Sequence, residues 1–214
     1  MRFCSMLLFA LVSISAMVVY KSLRNIGSSI KQKDTSIKSV KEGHKIALAR
    51  LYKYAGKVKP YVKENHLNSR FCFLIDMKIA SGSKRFFMYD LVNDSILLAG
   101  LVTHGSGLSN ITDSIIFSNE PGSNCTSPGK YKIGKSYYGK FGLAYKLFGL
   151  DKTNSNAFNR SVVLHAHPCV PDHEIAPLKI CNSWGCPTIS PIFLNQLKMY
   201  IDKPGPPILL WIVI

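Results

Sequence analysis

From Arg70 onward the chain is a succession of short β-type runs, each closed by a cluster of Gly, Ser, Asn or Pro, and this texture limits the possible folds most. Phe71–Met77 and Arg85–Leu91 flank Ser81–Gly82–Ser83, a spacing that predicts a hairpin. Ile96–Thr103 follows the Asn93–Asp94 turn, and further strands are expected at Tyr131–Ile133, Ala144–Phe148, Ser161–His165 and Ile208–Val213. One later helix is expected, Pro191–Tyr200. Before the strands, Leu48, Leu51, Tyr52, Ala55, Val58 and Val62 recur at three- and four-residue spacing, which predicts a helix over about 40–58 that Pro60 bends or ends. The Gly/Ser/Asn-rich tract from His104 to Pro128 is too long for a simple connection, and loops of that size in compact domains often carry function. Many short strands and few helices predict a mostly β domain, sandwich or barrel-like, behind an N-terminal helix.

The first forty residues read differently. Phe3 to Tyr20 is apolar, with Arg2 before it and Lys21 after it, the pattern of an export signal that is also just long enough to span a bilayer. The division expected is a signal peptide or membrane anchor over 1–20, a basic linker over 21–38, and a helix plus β domain over 39–214. Of the formal charge of +15, residues 21–70 hold thirteen Lys/Arg against three Asp/Glu. That excess sits away from the candidate site; nucleic acid or the anionic surface of a membrane or wall would explain it equally well, and the expectation taken is the envelope surface, with no nucleic-acid partner. Export, to the periplasm or cell envelope with a possible inner-membrane tether, changes how the cysteines are read. Removing Cys4 with a signal leaves Cys72, Cys125, Cys169, Cys181 and Cys186, an odd number, so at least one thiol is unpaired. Cys169 and Cys181 are a candidate disulfide bracing the loop between them.

The candidate chemistry lies in Ile180–Cys181–Asn182–Ser183–Trp184–Gly185–Cys186–Pro187–Thr188–Ile189. A cysteine after glycine and before proline sits on a tight turn, where its thiol and nearby backbone N–H groups face the same space, as a nucleophile with an oxyanion hole requires. A base must take the thiol proton, and His165, twenty-one residues upstream on an apolar run, is the candidate. Its tautomer needs fixing by a backbone carbonyl or by Ser183. Gly185 and Ser183 shape the turn, with the N–H groups of Gly185 and Cys186 as oxyanion donors. His167, Arg160, His104 and Trp184 are further candidates for contact with substrate. No cofactor is called for. One alternative makes His165, His167, Cys169, His173, Cys181 and Cys186 a zinc cluster, although their spacing fits no standard pattern. Another is a non-catalytic wall-binding module, whose affinity would survive Cys186→Ala. A papain-like protease places its cysteine well before its histidine, the reverse of the order here.

The residues also resemble the murein L,D-transpeptidase catalytic-domain family. Val163–Leu164–His165 is similar to that family's strand end, and Ser183–Trp184–Gly185–Cys186–Pro187 to its nucleophile turn. Phe117–Ser118–Asn119, Gly122–Ser123, Thr126–Ser127–Pro128–Gly129–Lys130–Tyr131, Asn159–Arg160 and Leu74–Ile75–Asp76 extend the likeness over roughly residues 45–200. Ala166 stands where the family usually has glycine, Trp184 where many members have a polar residue, and the arginine that often follows the turn is absent. The resemblance implies an L,D-transpeptidase-like β sandwich or barrel with a short helix after the nucleophile turn. It also implies two-step acyl transfer on peptidoglycan tetrapeptide stems: Cys186 attacks the carbonyl before the terminal D-Ala, D-Ala leaves, and an amine or water resolves the thioester. Water would make the protein an L,D-carboxypeptidase.

Overall fold

The strand runs pair into one eight-stranded sheet of order β3-β2-β1-β8-β4-β5-β6-β7. Its strands are β1 Phe71–Asp76, β2 Phe86–Asp90, β3 Ser95–Gly100, β4 Gly129–Gly139, β5 Gly142–Gly149, β6 Val163–Ala166, β7 Thr188–Ile189 and β8 Leu209–Val213. This computed structural model describes residue 43 and residues 45–108 and 114–214, so the apolar stretch 3–20 and the linker 21–38 lie outside the described residues. Residues 50–214 form one compact unit. The fold is mostly β, with a helix over 45–64 (α1) and a later one, α2, Pro191–Ile201. Among the described residues no helix is long and apolar enough to cross a membrane.

Alternation along the strands sends side chains to two cores. Phe73, Ile75, Phe86, Met88, Tyr131, Tyr145 and Leu164 pack with Phe193, Leu194 and Leu197 of α2 on one face. Cys72, Leu74, Tyr89 and Leu209 pack with Leu51, Ala55, Val58 and Val62 of α1 on the other. Helix α2 begins where the Ser190 hydroxyl accepts the Phe193 N–H and Pro191 fills the first turn, a position that needs no N–H donor.

Two expectations about extent are corrected. The first helix continues through Pro60 to residue 64 rather than ending near 58. Proline removes the bond to the carbonyl of Gly56, but both residues are exposed, and burying Val58 and Val62 at about 1.5–3 kcal/mol each offsets a penalty of about 3 kcal/mol. Strand β4 runs past Ile133 to Gly139, crossing a register shift between Ile133 and Ser136 where Gly134 sits. A bulge lets the hairpin with β5 extend beyond the apolar alternation that marks its first half.

Candidate active site

Strand register brings the candidate residues together. Strands β6 and β7 run parallel with His165 opposite Thr188, while Ala144 of β5 lies opposite His165 on its other side. Cys186 precedes Thr188 by two residues, in the bend that leads into β7. The Val163 N–H points at the sulfur, and the thiol donates to the Ser161 carbonyl at 3.9 Å. Cys186 and His165 line one cavity of about 660 Å³ with His167, Arg160, Ser183, Trp184, Phe141, Thr103 and Thr188. That volume suits a small-molecule or peptide site. No aspartate or glutamate is among its lining residues, which leaves it neutral to positive.

His165 is nearly buried, and both of its ring nitrogens are engaged. Nδ1–H donates to the Ala166 carbonyl at 3.1 Å, so in the neutral ring Nε2 carries the lone pair and accepts the Thr188 hydroxyl at 3.0 Å. The tautomer is therefore fixed by a backbone carbonyl, one of the two partners expected. Burial holds the His165 pKa below the usual histidine value, against the Ala166 carbonyl that favours the charged form. A neutral imidazole is the form a base requires. Phe141, at the tip of the β4–β5 hairpin, stacks on the ring with centroids 4.4 Å apart and planes 22° apart. Among the described residues no hydrogen bond joins His165 to Cys186 directly. Burial raises the thiol pKa, opposed by the Val163 N–H and the nearby Arg160 cation, so the resting sulfur is protonated.

The turn itself is held by its backbone oxygen. The Cys186 carbonyl accepts from Ser183 Oγ at 2.6 Å, from Thr103 Oγ1 at 3.2 Å and, more weakly, from Thr188 Oγ1 at 3.5 Å. The Gly185 N–H donates to Ser183 Oγ at 3.2 Å, so of the two expected oxyanion donors one is occupied within the turn. The Cys186 N–H has no acceptor among the described residues. Gly185 adopts φ of +107°, and a Cβ there would lie 2.7 Å from the Cys125 carbonyl oxygen, which explains the glycine before the cysteine. Cys125 is fixed in turn by Arg160, whose Nη2 donates to its carbonyl at 2.7 Å and to Ser123 Oγ at 3.3 Å, while Nη1 donates to the Ser118 carbonyl at 2.9 Å and to Ser127 Oγ. Arg160 thus holds residues 118–127 of the long loop through neutral acceptors, and among the described residues it has no carboxylate partner.

The other candidates separate. His167 lines the cavity, but its Nδ1 accepts the Cys169 N–H at 3.1 Å. Trp184 is 75% exposed at the cavity rim. The His104 carbonyl accepts the Ser183 N–H at 2.9 Å, but its side chain lines a second cavity. Its Nδ1 accepts from buried Arg85 at 2.9 Å, and burial with the charges of Arg85 and Lys179 lowers its pKa to about 4. Cys169 and Cys181 form a disulfide, which removes two thiols from the zinc alternative. Cys72, Cys125 and Cys186 are free, the first two buried. Sequence reasoning did not single out Thr188, Thr103 or Phe141. Only the β6–β7 register and the hairpin length could have pointed to them.

The chain matches the L,D-transpeptidase catalytic domain family over residues 43–206, and it belongs to that family. No curated protein matches it. Among solved structures it is similar to the helical cell shape determining protein Pgp2 from Campylobacter jejuni (11% identity, TM-score 0.42, covering 67% of this chain and 47% of that one). It is also similar to Bd1075 from Bdellovibrio bacteriovorus (17%, 0.41, 69% and 49%) and to an L,D-transpeptidase from Mycobacterium smegmatis (11%, 0.38, 68% and 59%). The chain spans about half the length of these proteins.

Proposed function

We propose that this protein is an exported cysteine acyltransferase of the cell envelope that acts on peptidoglycan tetrapeptide stems, with Cys186 as nucleophile and His165 as base. The observation that carries this reading is that Cys186 and a neutral His165, its lone pair on Nε2, line one cavity without acidic side chains. Such a cavity favours an acyl donor that ends in a carboxylate, as a stem ending in D-Ala does. The Thr188 hydroxyl reaches both Nε2 and the Cys186 carbonyl, so turning its proton to the carbonyl frees Nε2 for the thiol proton.

The sulfur then adds to the carbonyl that precedes D-Ala, and the Cys186 N–H donates to the developing oxyanion. Collapse of the tetrahedral intermediate breaks the C–N bond, and the imidazolium returns its proton to the leaving amine of D-Ala. An amine of a second stem attacks the thioester to give a cross-link and release the thiol. Incubation of purified protein with a disaccharide-tetrapeptide, followed by mass spectrometry, tests this. Release of D-Ala with a cross-linked dimer is expected. Tripeptide alone would make water the acceptor, and an unchanged tetrapeptide would overturn the reading.

A further inference from the structure

One face of the sheet changes character across its width. Over β1, β2 and β8 it is covered by α1, whose Tyr54 stacks edge-on against Trp211. Beyond β8 the same face continues on β4 and β5, where Lys132 stands opposite both Leu209 and Phe148. There the covering helix is replaced by lysines lying on aromatic rings. Lys132 Nζ is 5.3 Å from the Phe148 ring, Phe148 stacks on Phe158 at 5.4 Å, and Lys146 Nζ lies 5.1 Å from Phe158 and 5.8 Å from Tyr137. Phe158 is 52% exposed, and both lysines are exposed. From residue 121 to residue 150 the chain has five lysines and no Asp or Glu.

Lysines on a β-strand often guard an unpaired edge. That explanation fails for these two strands, because β4 lies between β8 and β5, and β5 between β4 and β6. Phe148 lies flat because Gly134 leaves room: a Cβ there would come within 2.7 Å of its ring. Phe158 leads directly into Asn159, Arg160 and Ser161, which line the cavity of Cys186.

We infer that this lysine–aromatic face, formed by Lys132, Tyr137, Lys146, Phe148 and Phe158, is a docking surface for a peptidoglycan glycan strand that leads into the Cys186 cavity. The exposed part of Phe158, with the half-buried Phe148 and Tyr137 beside it, offers apolar area to a sugar ring, and the lysines meet the carboxylates of the attached stems. This rests on the reading of the cavity as a stem-peptide site and adds that the preferred substrate is the polymer.

The test separates binding from turnover. Sedimentation with purified sacculi stripped of teichoic acid is measured on Cys186→Ala protein, with Lys132→Ser/Lys146→Ser/Phe158→Ser and Lys132→Glu/Lys146→Glu added to that background. Each lost contact is worth about threefold, so retention on sacculi falls by about tenfold or more in both, with unchanged melting of the double variant excluding misfolding. With Cys186 restored, turnover of a disaccharide-tetrapeptide stays within about twofold while turnover of sacculi falls in step with binding. Undiminished retention on sacculi overturns the inference, as does an equal loss of binding to vesicles of anionic lipid, which marks a surface for any polyanion. A wild-type protein that binds sacculi through this face but turns over neither substrate would refute the catalytic reading and leave the docking surface standing.

Discussion

Substituting Gly185 by alanine should damage both the fold and the chemistry, and the structure gives the size of each effect. Two costs add at this position. At φ of +107° an L residue is disfavoured by about 1–2 kcal/mol. The new methyl also lies 2.7 Å from the Cys125 carbonyl oxygen and 3.3 Å from Arg160 Nη2, and relieving that overlap costs about 1–3 kcal/mol more. Gly142 provides the control, since its φ is +74° and nothing lies within 4 Å of a Cβ there. Gly142→Ala should therefore lose only the backbone share, and Gly185→Ala about 2–5 kcal/mol in all. At about 2–4 °C per kcal/mol for a chain of this size, Gly185→Ala should melt roughly 4–20 °C below wild type and clearly below Gly142→Ala. Cys125 is held by Arg160, so the turn must move instead, and displacing Cys186 by an ångström costs on the order of 100-fold in rate. Circular dichroism melts and D-Ala release measured on both variants check this. If Gly185→Ala matches Gly142→Ala in melting temperature and in rate, the packing of the turn against Cys125 has no bearing on the site.

Phe141→Ala uncovers the His165 ring, so the His165 pKa should rise toward the ordinary histidine value and the acidic limb of the kcat/KM profile should move to higher pH. The stability that comes from keeping His165 neutral is complete above about pH 6.5 and lost as pH falls through its lowered pKa, so the variant should lose less stability between neutral and acid pH than wild type. An unmoved pH profile would deny Phe141 any part in setting the base. Removing the Cys169–Cys181 disulfide by Cys169→Ser/Cys181→Ser reopens a loop with a separation of 12 residues and should lower stability by about 3 kcal/mol, read from denaturant unfolding. A loss below about 1 kcal/mol would mean that other contacts already hold the loop.

The sequence made some of this visible because the relevant signal was local. Continuous apolar runs mark β1, β2 and β8, and the Ser190–Pro191 start marks α2, since each depends on near neighbours. Cys186 and His165 stand out because thiol and imidazole chemistry narrows their roles, and an odd cysteine count with the 169–181 loop suggested the disulfide. What stayed hidden depends on register. Thr188 meets His165 only because β7 pairs parallel to β6, and two residues are too few to show an alternation. Phe141 reaches His165 only because β4 passes its bulge and carries the hairpin tip over the ring. His104 appears alongside the other histidines in the sequence, yet its pairing with buried Arg85 turns it into a different cavity. The helix runs past Pro60 for an energetic reason: burial of Val58 and Val62 against the sheet outweighs the local proline penalty.

The proposed function stands or falls with acylation of Cys186 assisted by His165. Rapid mixing of the protein with a disaccharide-tetrapeptide, acid quenching and intact-mass measurement with peptide mapping test it most directly. An adduct of the stem acyl group on Cys186 with D-Ala lost is expected, absent in Cys186→Ala and formed at least about 100-fold more slowly in His165→Gln. D-Ala released at the wild-type rate by either variant, or an adduct on any other residue, would contradict it.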